Sequence, residues 1–391
     1  MKICQVIDLV NVGGAGIAAK RISNVLSNHY GQDLVEISSS PSKSNFLNYT
    51  LQNSRKLQLI SLFPRFSRNH YFKKFWSVDI NQQFKRILEI EKPNSINFHN
   101  IHSASWSIDL VKTALNFAPV LWTLHDCWSF YGSYYPSHCS EPTSSLSSEI
   151  KDFWAALKYS PSSYALSAVT PSNWMSEQAS SSHWKDHQVC TIRNPVPNSF
   201  FECLDREACK KALGLSLNKP TVLCIAGNLN EERKGGPILK EILESEVKDQ
   251  CQLLLIGEGN QFNDPKIKSL GYVQDEITLR IAYHAADVLL HPAQVDNLPN
   301  TVAESMSCGT PVLAFHTGGL PEMVIPQKSG WLVYENSALA MQNEIKNVLA
   351  SRSYLKVRNT TKKISREFFN SKTISMQYEE LLTEKIKISL T

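Results

Sequence analysis

Short apolar runs rich in β-branched residues recur along this chain, with stretches of helically spaced apolar residues between them. In the first half, Ile3–Leu9, Leu34–Ile37, Ile96–His99, Val120–Leu124 and Ala168–Thr170 read as strands. In the second half, Val222–Ala226, Leu253–Ile256, Val288–Leu290, Val312–Phe315 and Trp331–Val333 do the same. Strand–helix alternation predicts an α/β architecture of parallel, doubly wound sheets. Asn194-Pro195-Val196-Pro197-Asn198 interrupts it, because proline lacks the N–H that helix interiors and central strands require. That segment reads as a hinge between a first domain, residues 1–197, and a second, residues 198–372. Beyond them Ile374, Tyr378, Leu381 and Leu382 recur at helical spacing and predict an amphipathic surface helix.

Composition narrows the class. The 391 residues suffice for two domains of ordinary size, and 42% hydrophobic residues allow real cores. The net charge of +4, from 40 bases against 36 acids, is too balanced to argue for nucleic acid. No apolar run approaches the ~18 residues needed to cross a bilayer, and Asp8 interrupts the apolar stretch after Lys2, which argues against a signal peptide. The nine cysteines are odd in number, scattered and without a C-x-x-C pair, a pattern of the reducing cytosol. His125, Cys127, His138 and Cys139 invite a zinc reading, but their spacing fits no standard motif, and buried free thiols are the plainer account.

The segment from His291 to Glu322 carries the strongest chemical signal. Pro299 suits a helix start, Thr301 through Ser307 can continue the helix, and Gly309 can end it in the left-handed conformation. Asp296 then lies in a loop at the carboxyl end of a strand, with Glu304 one turn into the next helix. Ligands bind at that edge of open α/β sheets, and the N–H groups near Asn300 and Thr301 favour an anion such as phosphate. Thr301-x-x-Glu304 also fits a capping box, and Asp296-Asn297 ordinary turn chemistry.

Three other loops follow strands. Gly14-Ala15-Gly16-Ile17-Ala18-Ala19 fits a dinucleotide fingerprint, and hence a nicotinamide-dependent oxidoreductase. That reading needs an acid at the next strand's end, where Ser38-Ser39-Ser40 stands, with Glu36 within the strand. Tight helix–strand packing explains the same glycines. His125 ends a strand beside Asp126, as His99 ends an earlier one; each is either functional or a satisfied core histidine. The loop from Gly227 to Gly236 carries Asn228, Arg233 and Lys234, and is either a phosphate site or a solvated turn. Finally, residues 37–78 hold no acid but seven bases, Lys43, Arg55, Lys56, Arg65, Arg68, Lys73 and Lys74, among aromatic residues. Such a stretch fits an anionic membrane surface or an acceptor lipid's phosphates, and equally a solvated face over core aromatics.

Asp296, Glu304, the Gly309-Thr310-Pro311 turn and Gly318-Gly319-Leu320-Pro321-Glu322 together resemble the nucleotide-sugar site of the retaining family-four glycosyltransferases of GT-B fold. Their signature is Glu, seven residues, Glu, Gly-x-Pro, then Gly-Gly-x-x-Glu. Asp296 replaces the first acid, Asn297-Leu298-Pro299-Asn300 the usual Gly-Phe-Gly-Leu, and Asn228 an expected arginine, while Lys234-Gly235 matches the family's Lys-Gly. The resemblance implies two Rossmann-like domains facing across a cleft, with a final helix (373–391) crossing back to the first. It implies retaining transfer of a sugar from a nucleotide-diphosphate donor to an acceptor hydroxyl. Glu304 would hold the ribose, and Asp296 the donor sugar. Gly14, Gly16, Asn228, Arg233, Lys234, Asn300 and Thr301 would serve the donor. His125 would donate a hydrogen bond near the reacting carbon, with His99 and Asp126 on the acceptor side. No Asp-x-Asp occurs, so helix termini and cations would replace a metal, with no cofactor. The Gly-Gly-Ala-Gly and Thr-Leu-His-Asp segments look most like bacterial exopolysaccharide or capsule members. The expected partners are a glycan or lipid-linked glycan acceptor and an anionic membrane, with no nucleic acid, in the cytoplasm at the membrane's inner face. A nucleotide-sugar epimerase of the same fold and a catalytically silent nucleotide-sugar-binding protein are the alternatives.

Overall fold

The computed structural model describes residues 1–41, 46–52, 70–132, 135, 147–160, 165–259, 264 and 266–390. The chain divides into two compact units: Met1–Ile192 together with the segment from Lys372 onward, and Arg193–Ser371. The first unit holds strands β1 (Ile3–Ile7), β2 (Leu34–Ser38), β3 (Leu47–Thr50), β4 (Ser95–Phe98), β5 (Val120–Thr123), β6 (Leu166–Thr170) and β7 (Gln188–Thr191). They form one parallel sheet in the order β3-β2-β1-β4-β5-β6-β7. The second unit holds β8 (Thr221–Asn228), β9 (Gln252–Glu258), β10 (Ile267–Ser269), β11 (Val288–His291), β12 (Val312–Phe315) and β13 (Gly330–Val333). Its parallel order is β10-β9-β8-β11-β12-β13.

The strands are apolar because each feeds two cores. In β5, Val120 and Trp122 enter one cluster with Phe98 and Trp184, while Leu121 enters another with Ile3 and Leu34. In β12, Val312 and Ala314 pack on one face of the sheet, Leu313 and Phe315 on the other. Alternate residues point to opposite faces, and helices cover both faces of an all-parallel sheet. The last helix, Ser371–Leu390, follows this logic in the first unit. Its Ile374, Tyr378, Leu381 and Leu382 are buried with Ile3, Ile22 and Leu26. It is a core helix there, not only a surface one, and Tyr378 Oη lies 3.4 Å from Thr123 Oγ1 of β5.

All ten strands expected from the sequence form. The sheets also contain β3, β7 and β10, and each of these lies at a sheet edge. Among the described residues no helix is long and apolar enough to cross a membrane. Half of the basic and aromatic stretch, including Lys43, Arg55, Lys56, Arg65 and Arg68, lies outside the described residues, as do the side chains of Lys73 and Lys74 and the residues His138 and Cys139.

Candidate active site

In each sheet the strand order reverses between two neighbours, β1 and β4 in the first and β8 and β11 in the second. Loops at the carboxyl ends of such strands diverge and leave room for a ligand.

In the second unit that position holds a charged cluster. Asp296 follows β11 and is buried. Lys234 Nζ donates to its Oδ2 at 2.5 Å, Arg233 Nη1 lies 3.9 Å from Oδ1, and His291 Nε2 lies 3.3 Å from Oδ2. Burial alone would raise the Asp296 pKa. Lys234 first, then His291 and Arg233, overcome it and hold the carboxyl well below the usual carboxylate range. His291 is buried too, and burial lowers its pKa against the pull of Asp296, so it stands neutral beside the ion pair. The glycines nearby secure this arrangement. Gly318 has φ +56°, and a Cβ there would strike the carbonyl of Asp296; Gly319 N–H donates to that same carbonyl at 2.9 Å. Gly235, at φ +80°, likewise lets the Lys234 loop press on Pro292.

The helix after this loop runs Asn300–Ser307, with Pro299 at its N-cap and Gly309 beyond its end at φ +79°. Thr301 lies inside it, so the capping box does not form. Glu304 is buried instead, and its Oε2 accepts the Tyr283 hydroxyl at 2.8 Å. Asn228 ends β8 exposed, and its Oδ1 accepts from Asn230 N–H at 2.9 Å. Arg233 also pairs with Glu231 at 2.8 Å.

In the first unit a buried acid, Asp8, follows β1 at that position, and two neutral histidines stand after β4 and the next strand, β5. His99 follows β4 and His125 follows β5; both are buried, stacked at 5.2 Å, with His99 Nδ1 3.0 Å from His125 Nε2. Burial, and then the neighbouring His125, lower the His99 pKa well below its ordinary value. Burial lowers that of His125 to about 4, against a weaker pull from Asp126. Both rings are therefore neutral near pH 7, and hydrogen bonds decide their tautomers. Thr123 Oγ1 donates to Asn97 Oδ1, so Asn97 Nδ2 faces Gln5 Oε1 at 3.1 Å. Gln5 Oε1 also faces His99 Nε2 at 2.8 Å. Gln5 Oε1 is nearer to that nitrogen than Asn97 Nδ2, at 3.4 Å, so the nitrogen carries its proton toward Gln5 and His99 Nδ1 accepts. His125 therefore donates from Nε2 to His99, and Nδ1 of the neutral ring has acceptor character.

Asp126 does not orient His125 by a hydrogen bond. It accepts from Trp128 N–H at 2.9 Å and Asn100 Nδ2 at 3.2 Å, and lies 3.3 Å from His102. Gly16 lies in the first turn of the helix Gly13–Tyr30, where a Cβ would collide with the Leu9 carbonyl, so close packing already requires that glycine. Gly14 sits one residue into that helix. Sequence reading missed Gln5, Asn97, Tyr283 and His291. Polar residues at buried strand positions, such as Gln5 and Asn97, were the available signal.

Residues 219–351 match the family model described as Glycosyl transferases group 1. A D-inositol 3-phosphate glycosyltransferase of Xylanimonas cellulosilytica is 29% identical over 174 residues, 41% of this chain and 40% of that protein. The alignment thus spans well under half of that relative. The putative colanic acid biosynthesis glycosyl transferase WcaC of Escherichia coli K12 is 23% identical over 69% of this chain and 70% of its own. The structure of Anabaena HepE in complex with UDP-glucose superposes with a TM-score of 0.69 at 16% identity, covering 98% of this chain and 100% of that one. Two parallel α/β units of this order are the GT-B fold, and within it residues 219–351 form a Glycosyl transferases group 1 domain.

Proposed function

We propose that the protein transfers a sugar, with retention of configuration, from a nucleotide-diphosphate sugar to an acceptor hydroxyl in the assembly of a bacterial polysaccharide. The observation that carries this reading is the cluster of Asp296, Lys234 and Arg233 beside the start of helix Asn300–Ser307, with Glu304 one turn further on. A pyrophosphate needs cations and backbone N–H groups. Lys234, Arg233 and the N–H groups of Asn300 and Thr301 supply them, with Asn228 at the start of the loop that carries the two cations. Glu304, already accepting one hydroxyl from Tyr283, is suited to the hydroxyls of the ribose. Asp296 stays ionised and meets the donor sugar. As the diphosphate leaves, Lys234 and the helix start take up its charge, and no metal is required for this step. His125, neutral, accepts a sugar hydroxyl at Nδ1, so it adds no full charge beside the electron-poor reacting carbon. His99 and Asp126 serve the acceptor side. WcaC, a relative named for colanic acid synthesis, favours a glycan or lipid-linked glycan as acceptor, met at the inner face of the membrane.

The test is incubation with a panel of nucleotide sugars and a mixed pool of glycan acceptors, in excess chelator. Product with the donor's anomeric configuration by NMR is the expected result. Inverted product, or turnover that needs manganese or magnesium, overturns the reading; donor epimerisation without transfer replaces it with an epimerase.

A further inference from the structure

The second unit has another polar site at the amino-terminal edge of its sheet. A groove of about 480 Å³ opens there, lined by Arg206, Lys210, Lys219, Asp287, Arg352 and Tyr354, among others. Lys219 precedes β8 and Asp287 precedes β11. The groove therefore lies the length of β8, eight residues, from the donor loop, or roughly 25 Å at ~3.3 Å per residue.

Its charge is unbalanced. Asp287 is buried and is the single acid among these six residues, against four cations. Its oxygens are already engaged: Arg206 Nη2 donates to Oδ1, and Lys210 Nζ and Thr221 N–H donate to Oδ2 at 3.0 and 2.8 Å. Arg206 Nε remains buried without an acceptor. Among the described residues no carboxylate pairs with Lys219 or Arg352. Arg352 is held at φ +50° between the helices Ala338–Ser351 and Ser353–Phe369, a conformation that side-chain-bearing residues adopt rarely. Burial, then the nearby Arg206, lower the Arg358 pKa to about 10, a further sign of positive potential on this edge. One carboxylate cannot satisfy this set, and the volume suits a small molecule. A phosphoryl group offers several acceptor oxygens and more than one negative charge.

We propose that this groove binds a small phosphoryl-bearing anion, separately from the donor loop. The proposal stands whether or not the glycosyltransferase reading does, because it uses none of the same residues.

The probe is inorganic pyrophosphate, titrated by calorimetry into the full chain carrying Lys234→Ala, so that the donor loop contributes least. Binding is expected with Kd at or below about 1 mM. Lys219→Gln with Arg352→Asn, added to that background, should weaken it at least tenfold. Both residues are exposed, and asparagine tolerates the left-handed backbone, so the melting temperature without anion should hold. Unchanged affinity in that variant, or no binding up to about 10 mM, overturns the proposal. Equal affinity for inorganic phosphate and a hexose phosphate assigns the site to the free anion; tighter binding of the hexose phosphate assigns it to the organic ester.

Discussion

The two units place functional candidates along the carboxyl-end edge of the same kind of sheet, yet build them from different materials. After β4 and β5 stand two neutral imidazoles, tied through Gln5, Asn97 and Thr123 into a chain of uncharged hydrogen bonds. After β8 and β11 stands a buried carboxylate held ionised by Lys234 and Arg233. Burial penalises charge in both places. The first unit yields to it by keeping its histidines neutral; the second resists it with counter-charges. Topology thus fixes where a site sits and leaves its electrostatics to the loops.

The largest expected effect comes from breaking the charged side. Asp296→Asn leaves Lys234 and Arg233 facing an amide. Breaking a buried ion pair costs about 3 kcal/mol or more, to be read by urea denaturation, and turnover should fall by at least ~100-fold, about 2.7 kcal/mol. A variant as stable as the parent would mean that solvent already neutralises the pair.

On the neutral side, His99→Ala removes the acceptor of a buried N–H and should cost about 2 kcal/mol, with His99→Gln recovering part of it. Nitrogen NMR should find the His125 proton on Nε2. A proton on Nδ1 would reverse the hydrogen-bond chain described above.

Acid separates the two sides along one axis. His125 has a folded pKa of about 4, below its unfolded value of ~6.5. The unfolded chain therefore takes up protons first, and stability is lost as pH falls from about 6.5 towards 4. His284, also buried and lowered to about 4, shares that window, and His291, lowered by burial as well, adds in the same direction. Asp296, depressed from ~3.9, contributes stability that is lost only at lower pH. Urea midpoints measured from pH 7 to 3 should lose part of the upper slope in His125→Gln and only the lower slope in Asp296→Asn.

Smaller effects refine the donor assignment. Glu304→Gln should weaken nucleoside diphosphate binding about tenfold, near 1.4 kcal/mol, by calorimetry, with the fold unchanged. Tyr283→Phe should weaken it only a few-fold, because it removes one neutral donor worth about 1 kcal/mol. Equal loss in both would make Glu304 a structural partner of Tyr283.

Much of the framework is legible in the chain because strands buried on both faces must be apolar. The strands that escape notice, β3, β7 and β10, are edges, with half-exposed residues such as Asn48, Gln188 and Lys268. Asp296 and Glu304 are legible from their spacing around a proline-led helix. The partners that set their chemistry are not. His291 stands five residues before Asp296 and Tyr283 a full strand before Glu304, and only the folded chain brings them into contact. The tautomer of His125 depends on Gln5, more than a hundred residues away, and no local pattern encodes it.

The helix Ser371–Leu390 gives the first unit a delayed completion. Its core includes Ile374, Tyr378, Leu381 and Leu382, which leave the ribosome only after all of residues 193–371. At ~5–20 residues per second, the nascent first sheet waits on the order of ten to forty seconds for its last helix. Meanwhile the side of the sheet bearing Ile3, Leu34 and Leu121 is open to water or to chaperones. The second unit, continuous in sequence, has no such wait. Separate expression should follow this division: residues 193–371 form a self-contained piece, whereas residues 1–192 alone would expose an apolar face and aggregate unless the helix is supplied in trans.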